Sequence, residues 1–125
     1  DVGGDNMSVY DTANKLAREI KNSDEYSDYQ EIRDKILENE SSKELLKDYM
    51  NKQMQMQQKQ MSGQELSEEE QEDMEQLKNL VDLNSDIKEY LEAEYRMSVM
   101  LNDLQKILFG DLEIGVINED DDNLE

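Results

Sequence analysis

The chain has 125 residues, the length of one domain, and 37% of them are charged. It contains no cysteine and no histidine, which excludes thiol chemistry and removes the side chain most often used as a general base or transition-metal ligand. The net charge of −20 opposes contact with nucleic-acid phosphates and anionic lipids, so we expect no direct nucleic-acid binding. No apolar run approaches the ~20 residues of a membrane span, so we expect no membrane association and a cytoplasmic location.

The chain contains no proline and only five glycines, which favours long helices.

Residues 1–6 show no periodicity, and we interpret them as an expression remnant that precedes a natural start at Met7. Ser8 can cap a first helix with Asp11 three positions on. Its apolar face has helical spacing: Val9, Ala13, Leu16, Ala17 and Ile20. The sequence 22–24 interrupts this pattern, either as a helix boundary or as a kink, and precedes a second helix bearing Tyr26, Tyr29, Ile32, Ile36 and Leu37.

A third helix is predicted from Ser42 to Met61, because Ser41 and Glu44 form a capping-box pattern. Gly63 stops it, since glycine adopts the left-handed conformation that ends helices. Ser67 and Glu70 then repeat the capping pattern, and the fourth helix has its apolar face only at Met74, Leu77, Leu80 and Val81. These signals predict a hairpin of two helices.

Asn84 caps the last and most apolar helix, which ends at Gly110. Its stripe comprises Ile87, Tyr90, Leu91, Met97, Met100, Leu101, Leu104, Ile107 and Leu108. This stripe is wider than one neighbouring helix would cover, which indicates a partner helix from a second chain. Glu92 and Arg96 lie on its flank at the spacing of a favourable ion pair.

We therefore predict an all-α fold of four to five helices, arranged as an antiparallel helical hairpin or bundle with a long C-terminal helix and assembled as a dimer. A single domain is expected over residues 7–110. Residues 111–125 carry seven acidic side chains and no basic one, which predicts a disordered acidic tail.

No catalytic, cofactor-binding or metal site is predicted. The chain lacks a glycine-rich phosphate loop and a nucleophile elbow. The acidic runs 68–70 and 120–122 lack the alternating oxygen ligands and turn glycine of a calcium loop, so we interpret them as a solvated helix start and a solubilising tail.

The candidate functional residues are those of a protein interface. The methionines of the third helix are either core residues or an adaptable binding surface, and Tyr95 lies off the main stripe. The predicted interface comprises Met54, Met61, Tyr95, Met97, Met100, Leu101, Leu104, Ile107 and Leu108.

The chain resembles the YlbF/YmcA family of small helical bacterial proteins, including its YheA-like branch. The resemblance rests on residues 57–70 (QQKQMSGQELSEEE) and 90–108 (YLEAEYRMSVMLNDLQKIL), and residues 9–26 (VYDTANKLAREIKNSDEY) fit the family opening. It implies an all-helical protein that works by association, usually as a dimer. It also implies regulation of biofilm formation, competence and sporulation in Gram-positive bacteria, within a complex tied to RNA processing by ribonuclease Y. Some members of that complex are associated with cysteine-held iron–sulfur clusters, a property that does not transfer to a cysteine-free chain unless a partner supplies every ligand.

Three functional hypotheses follow. The first is a non-enzymatic regulatory adaptor that forms a homodimer sharing the last helix and the methionine-rich helix, or a heteromeric complex with related helical proteins and ribonuclease Y. The second is a carrier of a small ligand or metal in a pocket between helices, with Gln53, Gln57, Glu94 and Asn102 as its polar groups. The third, a DNA-mimicking inhibitor, is disfavoured by the lysines mixed along the helices.

Overall fold

The structure, a computed structural model, describes residues 8–114. It contains five helices: α1 Val9–Lys21, α2 Asp24–Glu38, α3 Glu40–Met61, α4 Glu68–Asp82 and α5 Ser85–Phe109. No strand occurs within these residues, and the all-α prediction is confirmed. The predictions for residues 1–6 and for the tail beyond residue 114 lie outside the described part of the chain.

Most helices begin where the sequence predicts. The Ser8 hydroxyl accepts a hydrogen bond from the Asp11 N–H at 3.1 Å, and the Asp11 carboxylate accepts one from the Ser8 N–H at 3.4 Å. The Ser23 hydroxyl accepts from the Tyr26 N–H at 3.2 Å, so the break at 22–24 is a helix boundary and not a kink. These side chains satisfy N–H groups that have no partner within the helix.

The predicted start of the third helix is wrong by two residues. Asn39 is the cap in place of Ser41, because its side-chain oxygen accepts from the Ser42 N–H at 3.1 Å, and the helix begins at Glu40. Asparagine caps a helix as well as serine does. Ser42 is buried, and its hydroxyl accepts a hydrogen bond from the Asn84 side chain at 3.0 Å. Asn84 in turn caps α5 by accepting from the Ile87 N–H at 3.0 Å, so one polar contact joins the starts of α3 and α5.

The core lies where four helices meet and is small. Its buried apolar side chains come from α2 to α5: Ile32, Ile36, Leu46, Val81, Ile87, Tyr90 and Ala93. Partly buried side chains extend it: Tyr29, Leu45, Tyr49 and Leu91. Because most of these residues come from the second half of α2, the first half of α3, the end of α4 and the first half of α5, the remaining helix ends project from the core.

The α3–α4 hairpin forms as predicted. Gly63 has a φ of +79°, the left-handed conformation that glycine adopts without steric cost. The Gln64 N–H donates to the Lys59 carbonyl at 2.9 Å and the Gly63 N–H donates to the Gln60 carbonyl at 3.2 Å, the pairing of a Schellman cap. The turn therefore satisfies the carbonyls at the end of α3.

The first helix departs most from its prediction. α1 has the expected apolar face, but none of its residues is buried, and Val9 is 82% exposed. Within the described residues, α2 is the one helix whose backbone approaches that of α1. None of the five helices is both long enough and apolar enough to cross a lipid bilayer, as far as residues 8–114 are concerned.

Candidate interaction surface

The last helix, α5, is buried over its first half and exposed over its second. Ile87, Tyr90 and Ala93 belong to the core. No residue of the helix after Ala93 is buried: Tyr95 is 69% exposed and Ile107 is 76% exposed. The continuous stripe predicted from the sequence is therefore divided into a core half and a surface half.

The apolar stripe is divided because α5 extends beyond α2, the helix that packs most extensively against it. The two helices run antiparallel, since Lys35 and Glu89 line one end of a shared cleft and Asp28 lies beside Arg96 at the other. α2 begins only four residues before Asp28, so its coverage of α5 ends near Met100.

The nine predicted interface residues lie in two separate places. Met54 and Met61 are exposed on α3. On α5, three residues are half-buried, namely Met97, Met100 and Leu104, and four are exposed, namely Tyr95, Leu101, Ile107 and Leu108. The clefts along the second half of α5 are lined by residues of α1, α2 and α5. One copy of the chain thus gathers the α5 residues but does not bring the α3 methionines to them.

Three open clefts follow this half of α5. One of about 700 Å³ is lined by Tyr29 of α2 and by apolar and polar residues of α5: Glu94, Tyr95, Met97, Ser98, Val99, Leu101, Asn102 and Gln105. A second, of about 390 Å³, is lined by Glu25, Tyr95, Arg96, Val99, Met100, Asp103 and Leu104. A third, of about 330 Å³, lies between α1 and Leu108 and has almost wholly apolar walls. Open, largely apolar clefts beside a helix are suited to receive side chains of another protein.

Two tyrosines and a glutamate connect α2 to α5 at the boundary between the two halves. The Tyr29 and Tyr90 hydroxyls lie 3.3 Å apart, and the Tyr90 hydroxyl donates to the Glu94 carboxylate at 3.2 Å. Burial, the Tyr29 hydroxyl and the negative charge of Glu94 all raise the pKa of Tyr90 above its usual value of 10. Tyr90 therefore remains protonated at neutral pH and acts as a structural donor, not as a base.

The polar groups proposed for a ligand pocket are not gathered. Glu94 and Asn102 line the same cleft on α5. Gln53 lies on α3, where its side chain donates to the Tyr49 hydroxyl at 2.9 Å, and Gln57 is exposed farther along the same helix. Among residues 8–114, no group of three or more acidic side chains is arranged to hold a metal ion. The acidic run 120–122 lies outside the described residues.

The acidic run at the start of α4 has a structural role at Glu70. One carboxylate oxygen accepts from the Ser67 N–H at 3.0 Å, completing the capping box, and the other accepts from the Lys59 ammonium group of α3. The hydrogen bond from Lys59, followed by that from the Ser67 backbone, lowers the pKa of Glu70 from its usual 4.5 to about 2. The segment 57–70 thus holds the hairpin closed and presents no reactive group.

Comparison with known proteins places the chain in a family. Residues 9–113 match the family described as control of competence regulator ComK, YlbF/YmcA. The chain belongs to the YlbF/YmcA family. A relative from Halothermothrix orenii, named a UPF0342 protein, is 58% identical over 110 residues, which cover 88% of this chain and 93% of that one. UPF0342 proteins from Desulfitobacterium hafniense and Bacillus velezensis are each 40% identical and cover 89% and 86% of this chain, and 89% and 92% of their own.

A solved structure supports the fold. A protein of unknown function (DUF964) from Bacillus stearothermophilus superimposes with a TM-score of 0.69 at 19% identity, covering 83% of this chain and 91% of the other. At this identity the similarity establishes the helical fold of the YlbF/YmcA chain and says nothing of its binding partners.

Sequence reasoning missed two features of this surface. Ala93, 1% exposed, is at the bottom of the α2–α5 contact, and its small side chain lets α2 approach closely. The Tyr29–Tyr90 pair, with ring centroids 5.5 Å apart, joins residues 61 positions apart in the chain. The sequence did place both tyrosines on apolar helix faces. Periodicity does not show which residues of two different helices contact each other, so the pair could not be predicted.

Proposed function

We propose that this YlbF/YmcA protein is a non-enzymatic regulator that acts by binding other proteins through the second half of α5. One observation carries the proposal: within residues 8–114, this helical half carries six large apolar side chains that are 40–76% exposed. They are Tyr95, Val99, Leu101, Ile107, Leu108 and Phe109. A concentration of exposed apolar side chains on one element is characteristic of a protein-binding surface.

The family supports a regulatory process as the context. Its description refers to control of the competence regulator ComK. We extend to this chain what the sequence resemblance implies, namely regulation of biofilm formation, competence or sporulation within an assembly linked to ribonuclease Y. With a net charge of −20, the chain would influence RNA turnover by contacting a protein and not the RNA.

The cleft beside Leu101 is the site proposed for the regulated protein. Met97 and Leu101 in its lining suit the apolar face of an amphipathic helix, and Glu94 in the same lining suits basic residues flanking that face. A helix with basic flanks would also be attracted by the acidic surface as a whole. The other proposed partner is a second copy of the chain.

The test compares two variants that each add one negative charge. Leu101→Asp would place a carboxylate in the cleft, where desolvation is costly, whereas Asn79→Asp would place it on the exposed side of α4. Binding to purified ribonuclease Y and its helical partner proteins would be measured by biolayer interferometry at physiological salt after nuclease treatment. We expect Leu101→Asp to weaken binding at least about tenfold, and Asn79→Asp to stay within about twofold.

Circular dichroism would verify that both variants keep their helix content. Equal binding by wild type and Leu101→Asp would contradict the proposed site. Stoichiometric RNA retained at physiological salt by the chain alone would contradict the proposed mode of action. Sedimentation that returns only monomer at micromolar concentration would remove the second copy from the list of partners.

A ligand carrier is the second candidate, favoured by the joint presence of Glu94 and Asn102 in the cleft. A thermal-shift screen of metals and metabolites separates the two functions. A protein-binding regulator should show no large shift. A compound that raises the Tm by several degrees in wild type but not in Glu94→Gln would favour the carrier.

A further inference from the structure

The exposed surface of α5 carries a row of charges that reverses its sign about the centre. On a helix with 3.6 residues per turn, Glu92, Arg96, Val99, Asp103 and Lys106 lie along one face. All five are exposed. From Val99 toward the start of the helix the signs are positive and then negative, and toward its end they are negative and then positive. The charges of this row are therefore complementary to those of an identical row that runs in the opposite direction.

We infer that a second copy of the chain packs on this face, with the two α5 helices antiparallel and their Val99 side chains meeting at the centre. This inference rests on the proposed self-association and specifies its geometry. In this register Arg96 of one copy lies level with Asp103 of the other, and Glu92 lies level with Lys106. Parallel packing would instead oppose like charges at all four positions, so the sign pattern selects the antiparallel arrangement.

The local charge favours this face over the rest of the molecule. Residues 95–109 contain two basic and one acidic side chain, although acidic residues outnumber basic ones by 33 to 13 in the whole chain. Two copies that each carry −20 repel one another, and the repulsion is weakest where acidic residues are fewest. We assign a second copy of the chain to this face because its charge row is complementary to the same row in antiparallel orientation.

One further side chain lies level with a cleft in this register. Ile107 of one copy lies level with the turn between Glu89 and Ala93 of the other, on the side that faces α2. That turn borders a cleft of about 260 Å³ between α2 and α5, which is lined by Ile32 and Ala93 and by five charged side chains, namely Asp28, Glu31, Lys35, Glu89 and Arg96. Ile107 is 76% exposed among the described residues. Each copy thus supplies one side chain and one cleft, as a two-fold symmetric interface requires.

Arg96 is available for this contact. Its guanidinium lies 3.9 Å from the Asp28 carboxylate of α2, and both side chains are about half exposed. An exposed ion pair at this distance contributes little to stability. Glu25, half-buried beside the same part of α5, adds attraction for Arg96 but does not neutralise Asp103.

The experiment exchanges the charges at positions 96 and 103. Arg96→Glu opposes two acidic side chains at both symmetric contacts, and Asp103→Arg opposes two basic ones. Each variant alone should raise the dimer dissociation constant at least about tenfold, measured by sedimentation equilibrium. Mixed in equal amounts, the two variants should form a heterodimer. At one contact the new glutamate at position 96 of one variant then faces the new arginine at position 103 of the other, and at the second contact native Asp103 faces native Arg96. The double variant Arg96→Glu/Asp103→Arg should dimerise as wild type does.

Lys78→Glu makes the same charge change on exposed α4 and should leave the dissociation constant within about twofold. A wild type that dimerises alongside two single variants that dimerise equally well would overturn the register and leave the proposed function intact. Single variants that stay monomeric even when mixed would overturn the pairing of Arg96 with Asp103. A monomeric wild type would overturn self-association itself, while binding to the regulated protein at Leu101 would remain a separate result.

Discussion

Besides α1, two parts of the described chain project beyond the shared core, and neither contains a buried residue: the outer part of the α3–α4 hairpin, residues 50–77, and the second half of α5. They differ in what they leave exposed. The hairpin exposes mainly glutamine and glutamate, whereas α5 exposes leucine, isoleucine, valine and aromatic side chains. Lack of burial alone therefore does not mark an interaction surface; lack of burial combined with apolar composition does.

The hairpin also pairs its own charged and hydrogen-bonding groups. Lys59 contacts Glu70, and Lys52 lies 3.8 Å from Asp73, so ion pairs link α3 to α4 along the outer turns. The cap at Gly63 completes the hydrogen bonds at its tip. For the second half of α5, the ion pair within the described residues is the weak one between Arg96 and Asp28. The hairpin can stand in solvent as it is, but α5 gains stability when another surface covers it.

The largest expected effect tests the contrast within α5 itself. Ile87 is fully enclosed and Ile107 is 76% exposed, although both are isoleucines on one helix. Ile87→Ala should lower the free energy of unfolding by about 2–5 kcal/mol, because it leaves a cavity in the core. Ile107→Ala should lower it by less than about 0.5 kcal/mol in the monomer. Urea denaturation at low protein concentration measures both, and similar losses would show that the two halves of α5 do not differ as described.

The next effect compares the caps of the two regions. Ser67→Ala removes the cap of the hairpin helix α4 and should cost about 1 kcal/mol. Asn84→Ala removes the cap of α5 and also leaves the buried Ser42 hydroxyl without its donor, so it should cost about 2 kcal/mol. Urea denaturation of the two variants side by side checks the order. An equal cost would mean that the hydrogen bond between Asn84 and Ser42 adds nothing to the stability of the core.

The smallest effect concerns acid stability of the hairpin. Because the pKa of Glu70 is lowered from 4.5 to about 2, the ionised carboxylate stabilises the fold above pH 4.5, and this contribution is lost as the pH falls toward 2. Glu70→Gln should therefore have a lower Tm than wild type at pH 7, and the difference should shrink as the pH falls from 5 to 2. Glu69→Gln, exposed on the same turn, is the control and should show no such trend. A pH-independent difference would mean that the charge of Glu70 is not what stabilises the hairpin.

The success of sequence reasoning varied with the range of the interactions involved. The caps at Ser8, Ser67 and Asn84 and the turn at Gly63 were predicted, since each depends on hydrogen bonds that reach only a few residues along the chain. The start of α3 was wrong because two caps, Asn39 and Ser41, competed within three residues. Nothing in the local pattern decides between two competent caps.

The surface was only partly predictable. The apolar residues of α5 were identified, and Tyr95, placed off the main stripe by the sequence, is 69% exposed. The sequence did not show that Leu91 packs against the core whereas Leu101, ten residues later, is 43% exposed. Nor did it show that α1 leaves its whole apolar face unburied. Both outcomes depend on the lengths and positions of other helices.

The sequence by itself determined the all-α class, most helix caps, the hairpin and the family, because caps, glycine conformation and periodicity act within about one turn of helix. Only the tertiary structure decided which part of the long apolar stripe is core and which is surface. The reason is geometric: α2 starts at Asp24, near the level of Met100 on α5, so other helices fully enclose α5 side chains only as far as Ala93, and its later apolar side chains are half-buried or exposed.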